Sequence, residues 1–120
     1  MIRSPFSAFQ GQHSIIFWGL SLLYMGGLYW LSDQPGGDRP LPFPGADKIV
    51  HLVLYSGLGG LLRLATTSVP MVLSVGIFYG VMDEFHQVFV PGRSADPWDV
   101  LADGIGVVLG CFIINRLRTP

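Results

Sequence analysis

The stretch SIIFWGLSLLYMGGLYWLS, Ser14 to Ser32, decides the fold class. It carries no charged side chain and approaches the roughly 20 apolar residues that one helical crossing of a bilayer requires. Tyr29 and Trp30 stand at its end, where amphipathic aromatic rings settle at headgroup depth. A secretory signal is the competing reading, because Arg3 precedes the run. The run exceeds the usual apolar core of such signals, and bulky Tyr29, Trp30 and Leu31 replace the small residues of a cleavage site.

Three further apolar runs follow. The segment between the first two, Asp33 to Ala46, reads DQPGGDRPLPFPGA, and its prolines and glycines exclude a helix or a central strand. The second run spans about Lys48 to Thr66, with Arg63 near its end, where it can reach the interface. After a short connection, Pro70 suits the first turn of a third helix. That run is apolar only from Met71 to Met82. A helix of spanning length must continue to about Val90, carrying Asp83, Glu84 and His86 into the outer bilayer. A loop PGRSADPW follows, then a fourth run from near Asp99 to near Asn115, with Gly106 and Gly110 in the GxxxG spacing that permits close helix packing. The expectation is a single all-α domain, residues 1–120, built as an integral membrane bundle of four transmembrane helices.

Composition agrees. Of the 120 residues, 50% are hydrophobic and 12% charged, against roughly 25% charged in a soluble domain. A lipid-facing surface removes the need for a charged coat. The net charge of -1, with no basic stripe or nucleic-acid motif, excludes nucleic acid as a partner. Cys111 is the sole cysteine. It forms no intrachain disulfide and belongs to no thiolate metal set.

Four crossings put both termini on one side. Arg3, Arg63, Arg116 and Arg118 lie there with no acid, whereas Arg39, Lys48 and Arg93 share the other side with all eight acids. The basic termini favour cytoplasmic N- and C-terminal ends in the inner (cytoplasmic) membrane, with both long loops outward.

The polar residues fall into register. Asp47, His51 and Tyr55 share one face of the second helix, Tyr79, Asp83 and Gln87 one face of the third, and Asp99 and Asp103 one face of the fourth. Glu84 flanks them, with Arg93 and Asp96 on the loop above. A charged side chain at mid-bilayer costs about 2.5–3.5 kcal/mol on insertion scales, so such groups should turn inward and pair. Asp83 or Glu84 is expected to pair with Arg93. Asp99 is expected to cap the fourth helix.

Asp47-Lys48-Ile49-Val50-His51 with Tyr55 resembles the DK-x-x-H-x-x-x-Y motif of VanZ-like proteins. Tyr79 to Gln87 resembles that family's Y-G-x-x-DE-x-x-Q segment, and Arg93, Asp96 and Asp99 its R-x-x-D-x-x-D segment. Asp103 stands where the family usually places Asn, followed by Gly106. The matching core covers residues 47–110. The resemblance implies a bacterial multi-pass membrane protein, in a family whose namesake is associated with resistance to the glycopeptide teicoplanin.

Three functions compete. The first is a cell-envelope binding protein whose outward pocket takes a lipid headgroup, a lipid-linked cell-wall precursor or a lipoglycopeptide. Arg93 and Lys48 would meet phosphate, and Tyr55, Tyr79 and Trp98 would line the wall. The second is a membrane-embedded hydrolase. Here His51, Asp83 and Glu84 are the catalytic candidates, and a divalent metal ion held by Asp83, Glu84, His51 and Asp103 would activate water. The third is proton-coupled transport, which four short helices would achieve only as a homo-oligomer. Acids gathered at one end argue against a complete relay. The ligand-binding candidates are Asp47, Lys48, His51, Tyr55, Tyr79, Asp83, Glu84, Gln87, Arg93, Asp96, Asp99 and Asp103.

Overall fold

The computed structural model describes residues 5–35 and 42–118, with side chains from residue 13 onward. Four α-helices follow one another: α1 Pro5–Ser32, α2 Ala46–Ala65, α3 Val69–Gln87 and α4 Pro97–Arg118. No strand occurs among the described residues. Arg3, Asp38 and Arg39, which entered the charge comparison, lie outside them.

Local chemistry sets the boundaries. Gly45, at φ 85, turns the chain into α2, a left-handed conformation that glycine adopts without steric cost. Ser68 caps α3 by accepting from the Met71 N–H at 3.3 Å, and Pro70 sits within the first turn. α3 stops at Gln87 instead of near Val90. Residues 88–90 tighten into i→i−3 bonds from Val88, Phe89 and Val90 to Phe85, His86 and Gln87, and Gly92, at φ 76, reverses the chain. α4 starts at Pro97, before the expected Asp99. Asp96 supplies its cap, accepting the Trp98 N–H at 2.9 Å.

The helices alternate in direction. At one end, Ser14 Oγ donates to the Ala65 carbonyl at 2.6 Å and Arg63 Nε to Asn115 Oδ1 at 2.6 Å. The termini of α2 and α4 that carry the acids meet at the other end. The largest interface joins α2 to α4, and glycine makes it close. A Cβ on Gly106 would stand 2.6 Å from the Leu52 carbonyl oxygen, and one on Gly110 2.8 Å from the Gly60 nitrogen. The GxxxG pair of α4 is thus used within the chain. Tyr55, Leu58, Leu62, Val72 and Val107 fill the small core.

α1 packs mainly on α2. Two tyrosines fasten it: Tyr24 donates to the Leu54 carbonyl at 2.5 Å, and Tyr79 to the carbonyl of Met25. Large apolar side chains such as Ile15, Leu23, Phe78, Phe85, Ile113 and Leu117 point outward, an inventory suited to hydrocarbon. α1 from His13, α2 and α4 are long and apolar enough to cross a membrane. α3 has the length, but Asp83, Glu84, His86 and Gln87 in its last turns lower its hydropathy.

Candidate functional site

The acid-bearing ends of α2, α3 and α4 converge as their helical registers require. Lys48, in the first turn of α2, is the hub of one cluster. Its ammonium lies 2.7 Å from Asp47, 2.5 Å from Asp96 and 2.9 Å from Asp99. This holds the α3–α4 loop and the start of α4 against α2. The hydrogen bond from Lys48 keeps the Asp96 carboxyl below its ordinary pKa range. The ammonium donates to Asp47 and Asp96 and ion-pairs with Asp99, so carboxylates engage the group that was expected to meet a phosphate.

A second cluster lies deeper. His51 Nδ1 is 2.8 Å from Asp103 Oδ1, and its Nε2 is 3.8 Å from Asp99 Oδ2. Tyr55 donates to Asp83 Oδ2 at 3.1 Å. Tyr55 and Asp103 are fully buried. Glu84 is buried as well and accepts the Asp96 N–H through Oε1 at 2.6 Å. It therefore holds the loop in place. One oxygen each of Glu84, Asp99 and Asp103 is buried with no hydrogen-bond partner, although that of Asp99 has the Lys48 ammonium 2.9 Å away. Buried polar atoms are normally satisfied, so each calls for an explanation.

Several expected residues have other duties. Arg93 pairs with neither Asp83 nor Glu84. Its Nε donates to the Gln34 carbonyl at 2.8 Å, and Nη2 lies 3.5 Å from that of Leu31. The guanidinium instead satisfies carbonyls at the end of α1, where positive charge is favoured by the helix dipole. Tyr79 points its hydroxyl at α1, although its ring lies 6.4 Å from that of Tyr55. Gln87 is buried against Ser32 Oγ at 3.3 Å. Trp98 is 67% exposed and borders neither the cavity beside His51 nor the groove beside Tyr29. His86 leaves the acids, pairing with Asp33 at 3.0 Å and stacking on Tyr29.

A cavity of about 200 Å³ opens beside the second cluster. His51, Tyr55, Asp83, Gln87 and Arg93 give it a polar side, and Leu28, Leu31, Val50 and Leu54 an apolar one. A groove of about 340 Å³ between α1 and α3, walled by Tyr29, Tyr79, Met82, Phe85 and Phe89, also reaches Asp83. The contribution of α1 to both was not visible in sequence. Its signals are polar Ser32, which borders the cavity, and Tyr29, which borders the groove, at the end of an apolar run.

The family model described as VanZ/LLP1 matches residues 4–118, nearly the whole chain and all three motif segments. The chain belongs to the VanZ/LLP1 family. Family membership and the long apolar helices together make it a membrane protein. No curated protein and no solved structure matches the chain. Among VanZ/LLP1 positions read from the sequence, the Asp at 103 proves the most buried of the carboxylates, joined to His51 and not exposed to solvent.

Proposed function

We propose that this VanZ/LLP1 protein is a multi-pass protein of the bacterial cytoplasmic membrane that holds an amphiphile in an outward-facing pocket. The observation that carries this is one cavity with a polar and an apolar side, meeting an apolar groove at Asp83. A headgroup reaches His51, Tyr55, Gln87 and Arg93, while acyl chain lies along the α1–α3 groove. Few convergent polar groups on apolar walls are the usual make-up of a ligand site. Arg93 borders the pocket and pairs with no carboxylate among the described residues, so it is the group to meet a phosphate. A lipid headgroup, a lipid-linked cell-wall precursor and a lipoglycopeptide share this chemistry. Capture of the last two would alter susceptibility to glycopeptides such as teicoplanin. The test is binding of a labelled lipid-linked precursor to purified protein. Binding is expected to be lost in Arg93→Ala and kept in Arg116→Ala at the opposite end; equal binding in both variants rejects the reading.

The His51–Asp103 contact favours a second reading, a metal- or His-dependent hydrolase acting on a lipid-linked envelope substrate. A carboxylate on Nδ1 fixes the tautomer and orientation of an imidazole that serves as general base. Turnover of a phosphoester-linked lipid, abolished in His51→Gln, would support it. Absence of turnover in the unmodified protein, with lipid still bound, leaves the binding function alone.

A further inference from the structure

We propose that His51, Asp83 and Asp103 form a binding site for one divalent cation. The site deepens the pocket of the proposed function and rests on that pocket being real. Its test uses the metal alone, so the two readings fail separately.

Two sets of residues at this end of the bundle bring metal-ligating atoms together: Asp47, Asp96 and Asp99, and His51, Asp83 and Asp103. The first already surrounds a cation, because the Lys48 ammonium sits within 2.9 Å of an oxygen of all three. The second has none. One ligand atom from each of His51, Asp83 and Asp103 lies within 4.8 Å of the others. The contacts these residues do make come from neutral donors or an imidazole: Tyr55 to Asp83, and His51 to Asp103.

The independent observation is Asp103 itself. Its side chain is fully buried, yet Oδ2 has no hydrogen-bond partner. That oxygen faces α3, the helix that supplies Asp83. A Cβ on Gly80 would stand 3.2 Å from it, so glycine there lets α3 approach it closely. An ionised oxygen buried without a donor is costly, and paired charges or a coordinated metal are the ways proteins offset that cost. Glu84 stands outside this set of mutually close ligand atoms, and its Oε1 is held by the Asp96 N–H.

Two carboxylates and one imidazole suit Mn²⁺ or Zn²⁺ better than Ca²⁺, which takes six or more oxygens. Three protein ligands leave coordination positions open, and His51 and Asp83 both border the cavity. Water, or a phosphate oxygen of the bound headgroup, can occupy them. The cavity that Asp83 borders then accepts an anionic ligand, with Arg93 also in its wall.

The test is a Mn²⁺ titration of detergent-purified protein, following the loss of the free-ion electron paramagnetic resonance signal. The expected result is one Mn²⁺ per chain. Asp103→Asn and Asp83→Asn should each weaken binding by more than the roughly 10–100-fold that loss of an outer-shell partner costs. Asp33→Asn, which alters a carboxylate paired with His86, should leave it unchanged. Circular dichroism screens each variant for folding. If buried Asp103→Asn does not fold, the partly exposed Asp83→Asn decides. Absence of Mn²⁺ binding, or binding insensitive to Asp83→Asn, overturns the proposal. So does binding that is lost in Asp96→Asn and kept in Asp83→Asn. Lipid binding that persists in a protein unable to take Mn²⁺ overturns the metal site and leaves the amphiphile reading standing.

Discussion

Lys48 shows how one residue organises this end of the molecule. Its ammonium joins α2 to both Asp96 and Asp99, so replacing it with Met leaves three carboxylates facing one another. Lys48→Met is expected to lower thermal stability in detergent, and Lys48→Arg to recover part of the loss. The bond to Lys48 depresses the Asp96 pKa below its ordinary value of 3.8. A depressed carboxylate stabilises the fold above its unfolded-state value, and that stabilisation is lost as pH falls through the lower folded value. The carboxyl ¹³C signal of Asp96 should therefore titrate below pH 3.8, and move up toward that value in Lys48→Met, where the Trp98 N–H bond still holds it down. Deeper in the bundle, Tyr55→Phe removes only the hydroxyl bonded to Asp83. Loss of that buried bond is expected to cost about 1 kcal/mol, read from denaturant or thermal unfolding. The shared face of Asp47, His51 and Tyr55 was legible, because i, i+4 spacing fixes direction once a helix is granted. Their partners were not. Arg93 turned to the carbonyls of α1 and Lys48 gathered the acids because the loop folds back over α2, a placement that helical periodicity does not encode.

At the scale of the helix, close approach of α2 and α4 rests on missing side chains. A methyl on Gly110 would overlap the Ser56 carbonyl, whereas one on Gly104 would meet only Ile77 at 3.8 Å. Gly110→Ala is expected to destabilise by about 1–3 kcal/mol through overpacking. Gly104→Ala should be neutral or stabilise by up to about 1 kcal/mol through helix propensity. Comparing the two unfolding curves checks both. The four helices were legible from the apolar runs, and Pro70 and Gly45 punctuate them as expected. The cap of α4 was assigned one turn late, to Asp99, because the Asp96-Pro97 step reads equally well as loop. α1 looked uninformative because it serves the site through backbone carbonyls and leucine walls, which leave no motif.

For the molecule as a whole, the acids among the described residues gather at one end and Arg63, Arg116 and Arg118 at the other, which gives a polar axis. If both termini face the cytoplasm, a cysteine placed at Ser94 in a Cys111→Ser background reacts with a membrane-impermeant maleimide added to intact cells. One placed at Arg118 reacts only after lysis. The opposite pattern reverses the orientation and closes the pocket to the outer leaflet.

α3 is the one helix whose last turns are too polar to favour hydrocarbon unaided, and its largest interface is with α4, which follows it in the chain. If α3 crosses the bilayer, its entry is tied to a segment synthesised after it. A nascent chain halted before Pro97 lacks α4, the helix on which α3 packs most, so its third segment should linger at the membrane surface until the last segment arrives. Biogenesis of this small protein becomes a cooperative event, in which the final hydrophobic stretch recruits the one before it.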